Sequence, residues 1–190
     1  MSKEYIDDQI FKNIDYRLNE LENGEYTDCQ FVQCSFEHVN LSSQVFADCV
    51  FIECDLSNAK LSDTSFRNVK FKDCKMLGLH FNDCREFLLQ MSFKSCSLSY
   101  STFHGLNISQ TVFDHCECKE VDFENCNLMK SVFEETDLQG AIFNNSNLTL
   151  ANFSTANNFS INPENNILKK AYFSRYNIIG LINHLNINLK

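Results

Sequence analysis

Ten cysteines and five histidines are the residues of this chain best suited to nucleophilic or metal chemistry. Cys29, Cys34, Cys49 and Cys54 fall in a C-x4-C-x14-C-x4-C arrangement, which is not the C-x2-C pairing common at zinc sites. His38, His80, His104, His115 and His184 are accompanied by no carboxylate pair or nucleophile that would mark a cleft, so they read as surface residues. No GxGxxG, P-loop, HExxH or GxSxG motif occurs. Nor are there long loops to build a substrate groove. The expectation is a non-enzyme that needs no metal or cofactor.

Charge is the stronger functional signal. Lys and Arg number 16 against 25 Asp and Glu, a formal charge of −9. That excess opposes non-specific nucleic-acid binding, which needs cations to displace counterions, and opposes docking on an anionic membrane. The distribution is uneven: −4 over 1–25, −5 over 26–59, +3 over 60–100, −7 over 101–165 and +4 over 166–190. The densest acidic run is Asp114, Glu117, Glu120, Asp122, Glu124, Glu134, Glu135 and Asp137. Such a run either solvates a surface or imitates a row of phosphates for a protein partner. The basic centre, with Lys60, Arg67, Lys70, Lys72, Lys75 and Arg85, departs from a uniformly acidic rod. The polar, acidic start carries no signal-peptide pattern, and no apolar run of about 18 residues exists. The chain therefore reads as cytoplasmic, with its thiols free.

What must position these residues is a repeat. Large apolar residues recur every five positions from Tyr26 through Phe81, and again from Leu88 through Phe153. Of these 26 centres all are apolar or Cys, and the position two earlier is small in 21. The exceptions are Gln44, Leu79, Glu86, Met91 and Leu106. A period of five fits neither a helix at 3.6 nor a flat strand at 2. Residues two apart on extended chain share a face, so each unit points its large and its small residue inward. A chain that does this repeatedly must turn at every unit. Four sides give coils of 20 residues, stacked as parallel strands about 4.8 Å apart.

The cysteines test that number: Cys34, Cys54 and Cys74 are 20 apart, as are Cys96 and Cys116. The gap of 22 between Cys74 and Cys96 matches the two-residue slip between Phe81 and Leu88. Eight of the ten cysteines occupy the small inward slot, which predicts inert, buried thiols. In the second half Phe alternates with Leu, Ile or Cys, placing Phe ladders on alternate sides. The 26 centres predict about six and a half coils and a shaft roughly 30 Å long.

Ala59-Lys60-Leu61-Ser62-Asp63, Val121-Asp122-Phe123-Glu124-Asn125, Thr136-Asp137-Leu138-Gln139-Gly140 and Ala151-Asn152-Phe153-Ser154-Thr155 resemble the A-(D/N)-L-x-x motif of the pentapeptide-repeat family. The resemblance covers Gly24 to Thr155 and implies an all-β solenoid, a right-handed quadrilateral parallel β-helix. The Phe- and Cys-rich layout with a short tail looks like the quinolone-resistance (Qnr-type) and microcin-immunity members. That narrower likeness implies a regulator that binds DNA gyrase or topoisomerase IV by imitating duplex DNA. The alternative is a structural or adaptor rod with an unrelated protein partner.

Three segments complete the organisation. Residues 1–25 keep the phase weakly and read as an N-terminal cap or irregular first coil; 26–155 form the shaft, interrupted near 82–91. There a bulge or small loop is expected, with Arg85, Glu86 and Phe87 as a candidate recognition element. Residues 156–190 read as a C-terminal cap. Ser174 suits an N-cap, and Ile178, Leu181, Ile182 and Leu185 at i, i+3, i+4, i+7 predict a short amphipathic helix. The resemblance makes this terminus a homodimer contact.

Overall fold

Nearly every five-residue unit turns a corner because its last residue lies in the left-handed region; the units ending at Asp83 and Thr155 are exceptions. In the computed structural model, which describes residues 4–185 and 187, Asp28, Gln33, His38 and Ser43 have φ of 52°, 54°, 58° and 63°. The same conformation recurs along the shaft at residues as different as Glu120, Lys130 and Leu150. For a residue with a Cβ it costs about 1–2 kcal/mol. Backbone hydrogen bonds to the next coil offset the cost: the corner N–H groups of Asp28, Gln33 and His38 donate to the carbonyls of Ala47, Ile52 and Ser57 at 2.8–3.0 Å.

Between corners the chain is extended. Among the described residues eleven short strands are long enough to define: β1 (Glu4–Asp7), β2 (Ile10–Lys12), β3 (Gly24–Thr27), β4 (Gln30–Val32), β5 (Val45–Ala47), β6 (Val50–Ile52), β7 (Ser65–Arg67), β8 (Val69–Lys72), β9 (Met91–Lys94), β10 (Val112–Asp114) and β11 (Val132–Glu134). They form two all-parallel sheets, ordered β1-β3-β5-β7 and β2-β4-β6-β8-β9-β10-β11. Isolated parallel bridges, such as Asp55↔Lys75 and Asp122↔Ile142, stack the other sides. The result is a right-handed four-sided β-helix whose partners lie 20 residues apart, as in Phe31↔Phe51 and Phe93↔Phe113. Across the interruption the spacing is 22, as in Phe71↔Phe93.

The sides can be lettered in chain order. Side A stacks Phe31, Phe51, Phe71, Phe93, Phe113, Phe133 and Phe153, and side B stacks Phe36, Leu56, Met76, Leu98, Cys118 and Leu138. Side C stacks Leu41, Leu61, Phe81, Phe103, Phe123 and Phe143. Side D stacks Tyr26, Phe46 and Phe66, then Ile108, Leu128 and Leu148. All of these are buried, together making one continuous core. Rings on one side stack with nearly parallel planes, for example Phe113 on Phe133 at 4.9 Å and 2°. Rings on different sides meet edge to face, for example Phe113 and Phe123 at 5.6 Å and 80°. Both arrangements suit the aromatic quadrupole.

The small inward slot does more than save space. Ser146 Oγ donates to Phe123 O at 2.6 Å, Thr136 Oγ1 to Phe113 O at 3.0 Å and Thr64 Oγ1 to Leu41 O at 2.8 Å. Cysteine does the same more weakly: the thiols of Cys54 and Cys126 donate to Phe31 O at 3.3 Å and Phe103 O at 3.0 Å. The slot thus selects for small size, and most of the Ser, Thr and Cys side chains in it also donate to a carbonyl, whereas Ala59, Val69, Val121, Ala141 and Ala151 fill it without a donor. Gln44, an exception in size, is buried and bonded: its Oε1 accepts from Gly24 N at 2.9 Å.

Three expectations change. Leu88 is not a shaft centre: it is 62% exposed, with φ of 59°, and Glu86 is exposed too. Coil-to-coil bonding is regular up to Arg85 N to Thr64 O and resumes at Gln90 N to Phe66 O, so the extra residues loop outward between them. Leu89 is the residue that packs against the core there. Residues 4–16 already belong to the shaft, because β1 and β2 pair in the 20-residue register with β3 and β4 and Asp15 bridges Ser35. The rest of this first coil, 17–23, is irregular, with Leu18 and Asn19 turning back on Asp15 O. Phe11 stacks on Phe31 at 4.9 Å and Tyr16 on Phe36 at 4.7 Å. The helical spacing at the C-terminus yields two 3-10 segments, Ile178–Leu181 and Asn183–Leu185, in place of an α-helix.

The physical reason for the last change lies at Asn177 and Gly180. The Asn177 side chain donates to the carbonyls of Phe153 at 2.8 Å and Ala156 at 3.0 Å, capping the end of the shaft. Ser174 Oγ accepts from Asn177 N at 3.1 Å while Ser174 N donates to Asn177 Oδ1 at 3.0 Å. Gly180 O then accepts from Ile161 N, with the Phe159 ring so close that a Cβ at 180 would lie 2.4 Å from it. A segment held at both points cannot wind on as an α-helix.

Candidate partner-binding surface

The acidic run does not form one stripe. In each unit the two residues flanking the centre point outward, so Asp114 and Glu134 stack on side A and Glu117 and Asp137 on side B. Asp122 and Glu124 flank Phe123 on side C, while Glu120 and Glu135 occupy left-handed corners. The eight carboxylates thus wrap three of the four sides. Side D carries instead an asparagine ladder, Asn107, Asn127 and Asn147, linked by amide hydrogen bonds of 2.9 and 3.1 Å.

Several of the acids are already partnered. Lys94 Nζ lies 2.8 Å from Asp114, and beside it His115; together, Lys94 first, they hold the Asp114 carboxyl below its ordinary range. Lys119 bonds Glu117 and reaches Asp137 at 3.6 Å. Glu134 and Glu135, like Glu120 and Glu124, have no lysine or arginine beside them among the described residues, and the four are the open carboxylates of the run. In the basic centre, Arg67 pairs with Glu25 and Lys75 with Asp55 at 3.5 and 3.2 Å. Lys60, Lys70 and Lys72 form no ion pair among the described residues.

The interruption projects apolar side chains. Phe87 is 72% exposed, beside Leu88, and the loop is pinned at its base by a bidentate pair from Arg85 to Asp63 with both contacts at 2.6 Å. A groove of about 590 Å³ beside it is lined by Arg67, Leu88, Gln90, Gln110 and Val112 among others. It holds no nucleophile–base pair. At the C-terminus Ile178 and Leu185 are exposed, whereas Leu181 packs against the core and Ile182 is half-buried. The four therefore do not present one apolar face.

All ten cysteines are free and buried. Burial pushes Cys49 and Cys126 up to about 12. Cys34, Cys54, Cys74, Cys96 and Cys116 form one column at the entry to side B. Cys34, Cys74 and Cys116 are raised, first by sharing protons with neighbouring sulfurs and then by burial. The same shared protons draw Cys54 and Cys96 downward. The groups acting there are other thiols and the backbone rather than cations, so a thiolate would be sealed without a counter-charge and the column stays neutral.

Parallel coils with four apolar ladders and left-handed corners define a quadrilateral β-helix. The pentapeptide repeat region pattern matches residues 24–86 and 80–153, and the chain belongs to that family. Among solved structures it is similar to a trypsin-treated, singly substituted form of QnrB1, described as a plasmid-mediated fluoroquinolone resistance protein. That match has 21% identity and a TM-score of 0.63, covering 98% of this chain and 90% of the other. It is also similar to HetL from the cyanobacterium Nostoc sp. strain PCC 7120, a pentapeptide repeat protein involved in heterocyst differentiation regulation. There identity is 16% and the TM-score 0.72, over 89% and 85% of the two chains. No curated protein matches. These likenesses concern the fold. Among the described residues no helix is long and apolar enough to cross a membrane.

Proposed function

We propose that this chain is a non-enzymatic, cytoplasmic binding protein whose acidic second half occupies the DNA-gripping surface of a type II topoisomerase, gyrase or topoisomerase IV. The observation that carries the reading is charge density. Eight carboxylates between Asp114 and Asp137 fall within two coil levels. Two levels are about 10 Å of axis. The same length of duplex carries about six phosphates. Wrapping three sides resembles a duplex more than a flat acidic patch would. The likeness to a fluoroquinolone resistance protein supports this choice of partner. The exposed Ile178 and Leu185 suit pairing of two chains, which would place two acidic zones about one junction.

A specific observation favours a second reading, an adaptor rod for another protein. The free lysines Lys60, Lys70 and Lys72 interrupt the acidic surface, and HetL shares the fold in a regulatory setting. Binding to purified gyrase at low and high salt, with a supercoiling assay in the presence and absence of a fluoroquinolone, separates the two. Binding should weaken steeply with salt and fall in a Glu134→Lys, Glu135→Lys variant, whose side chains point outward and leave the shaft intact. A folded chain that ignores gyrase at low salt would decide for the adaptor.

A further inference from the structure

We propose that His104, Asp122 and Glu124 form a surface site for a divalent transition metal such as zinc, cobalt or nickel. One ligand atom from each lies within 4.8 Å of the other two. His104 Nδ1 and Asp122 Oδ2 are 3.5 Å apart. Two ligands on a tetrahedral ion with bonds of about 2.1 Å stand roughly 3.4 Å apart, so this pair already spans one edge of the polyhedron. Glu124 needs only a side-chain rotation to supply the third corner, and water can complete the fourth because the site is open: His104 is 46% and Asp122 33% exposed.

The surroundings orient the ligands. Asp122 Oδ1 accepts from Glu124 N at 2.8 Å, which turns Oδ2 toward the histidine, and Thr102 Oγ1 lies 3.4 Å from Oδ2. On the far side of the ring the Asn125 amide lies 3.3 Å from His104 Nε2. With its oxygen turned inward that amide accepts Nε2–H and leaves the Nδ1 lone pair for the metal, as such outer partners do at known sites. The backbone beneath is fixed: Asp122 N donates to Ser101 O at 3.0 Å, Phe103 N to Asp122 O at 2.8 Å and Gly105 N to Glu124 O at 3.0 Å. One nitrogen and two carboxylates suit a borderline divalent ion better than calcium, which wants six to eight oxygens. The spacing of 18 and 20 residues matches no linear metal motif, and only the coil brings the three together.

Cobalt(II) titrated into the reduced, metal-free chain and followed by visible absorption tests the site. One equivalent should bind saturably, with d–d bands but without the intense near-ultraviolet band of cobalt–thiolate, and zinc should displace it. His104→Ala and Glu124→Gln should each weaken binding at least about tenfold. Unchanged melting curves without metal would show both variants folded, and His115→Ala should bind as the parent does. No saturable binding up to millimolar metal, indifference to His104→Ala, or a thiolate band from the buried cysteines would each overturn the proposal.

Discussion

Before the loop the aromatic ladders occupy neighbouring sides; beyond it they occupy opposite ones. Phe46 and Phe66 on side D lie against Phe51 and Phe71 on side A at 5.3 and 5.7 Å. Past the interruption side D carries Ile108, Leu128 and Leu148, and the second ladder moves to side C with Phe103, Phe123 and Phe143. The switch falls at Phe66 and Phe81. Side D's ladder ends one level below Leu88, where the chain leaves the shaft. Most coil levels hold two rings, but the coil of Tyr26, Phe31 and Phe36 and the coil of Phe66, Phe71 and Phe81 bury three, so bulk on one side is balanced against what the other sides carry at that level. The outward loop on side D makes that exchange without overpacking.

The comparison predicts unequal costs for the same deletion. Phe113→Ala should cost about 3–5 kcal/mol in chemical denaturation, because stacked rings above and below prevent collapse of the cavity. Phe113 stacks on both Phe93 and Phe133, whereas Phe66 stacks only on Phe46 and has the loop above it. Phe66→Ala should therefore cost less. Equal costs would mean that the loop region is as rigidly packed as the middle of the second half.

A second variant acts on the loop itself. Removing Glu86 and Phe87 restores the 20-residue register and lets Leu88 enter side D directly above Phe66. The fold should persist, with stability within about 1 kcal/mol of the parent, since closing so short a loop costs little entropy. Loss of cooperative unfolding would show that the ladder exchange requires the insertion. If the loop is also a contact for the partner, binding should fall while stability holds.

The sequence carries the solenoid almost completely, because a shaft constrains the same two positions of every unit and burial makes those positions apolar and small. Every centre except Leu88 is buried. The slip of two was legible, but its placement was not, since Leu88 and Leu89 are alike in type and only the hydrogen bonds distinguish the one that packs. The left-handed corners were only half legible: Asn, Asp or Gly, which tolerate that conformation best, hold 14 of the 28 such positions among the described residues, while His, Lys, Leu and others hold the rest. The C-terminal spacing fitted an α-helix, and the long-range bonds of Asn177 decided against it. For the candidate surface, the acidic residues were visible, whereas their spread over three sides and the approach of His104 to Asp122 and Glu124 depend on which corner each residue follows.

The smallest expected effect concerns the charged pairs that differ between the halves. In the first half Arg17 holds Asp15 below the ordinary carboxylate range; in the second Lys94, then His115, do so for Asp114. A carboxylate whose folded pKa is depressed binds fewer protons folded than unfolded. Its contribution to stability is therefore fully present above the unfolded value of about 3.8 and is lost as pH falls through the lower folded value. Both pairs lie at the surface, so screening keeps each contribution small. Urea midpoints measured from pH 6 down to pH 3 should decline gently, and Asp114→Asn should flatten the acid end of that decline. Because Asp114 also sits beneath Glu134, the same variant removes one carboxylate from the acidic zone. If Asp114→Asn left the decline unchanged, the Lys94 pair would be a contact without energetic weight, and the acid sensitivity would have to come from the first half.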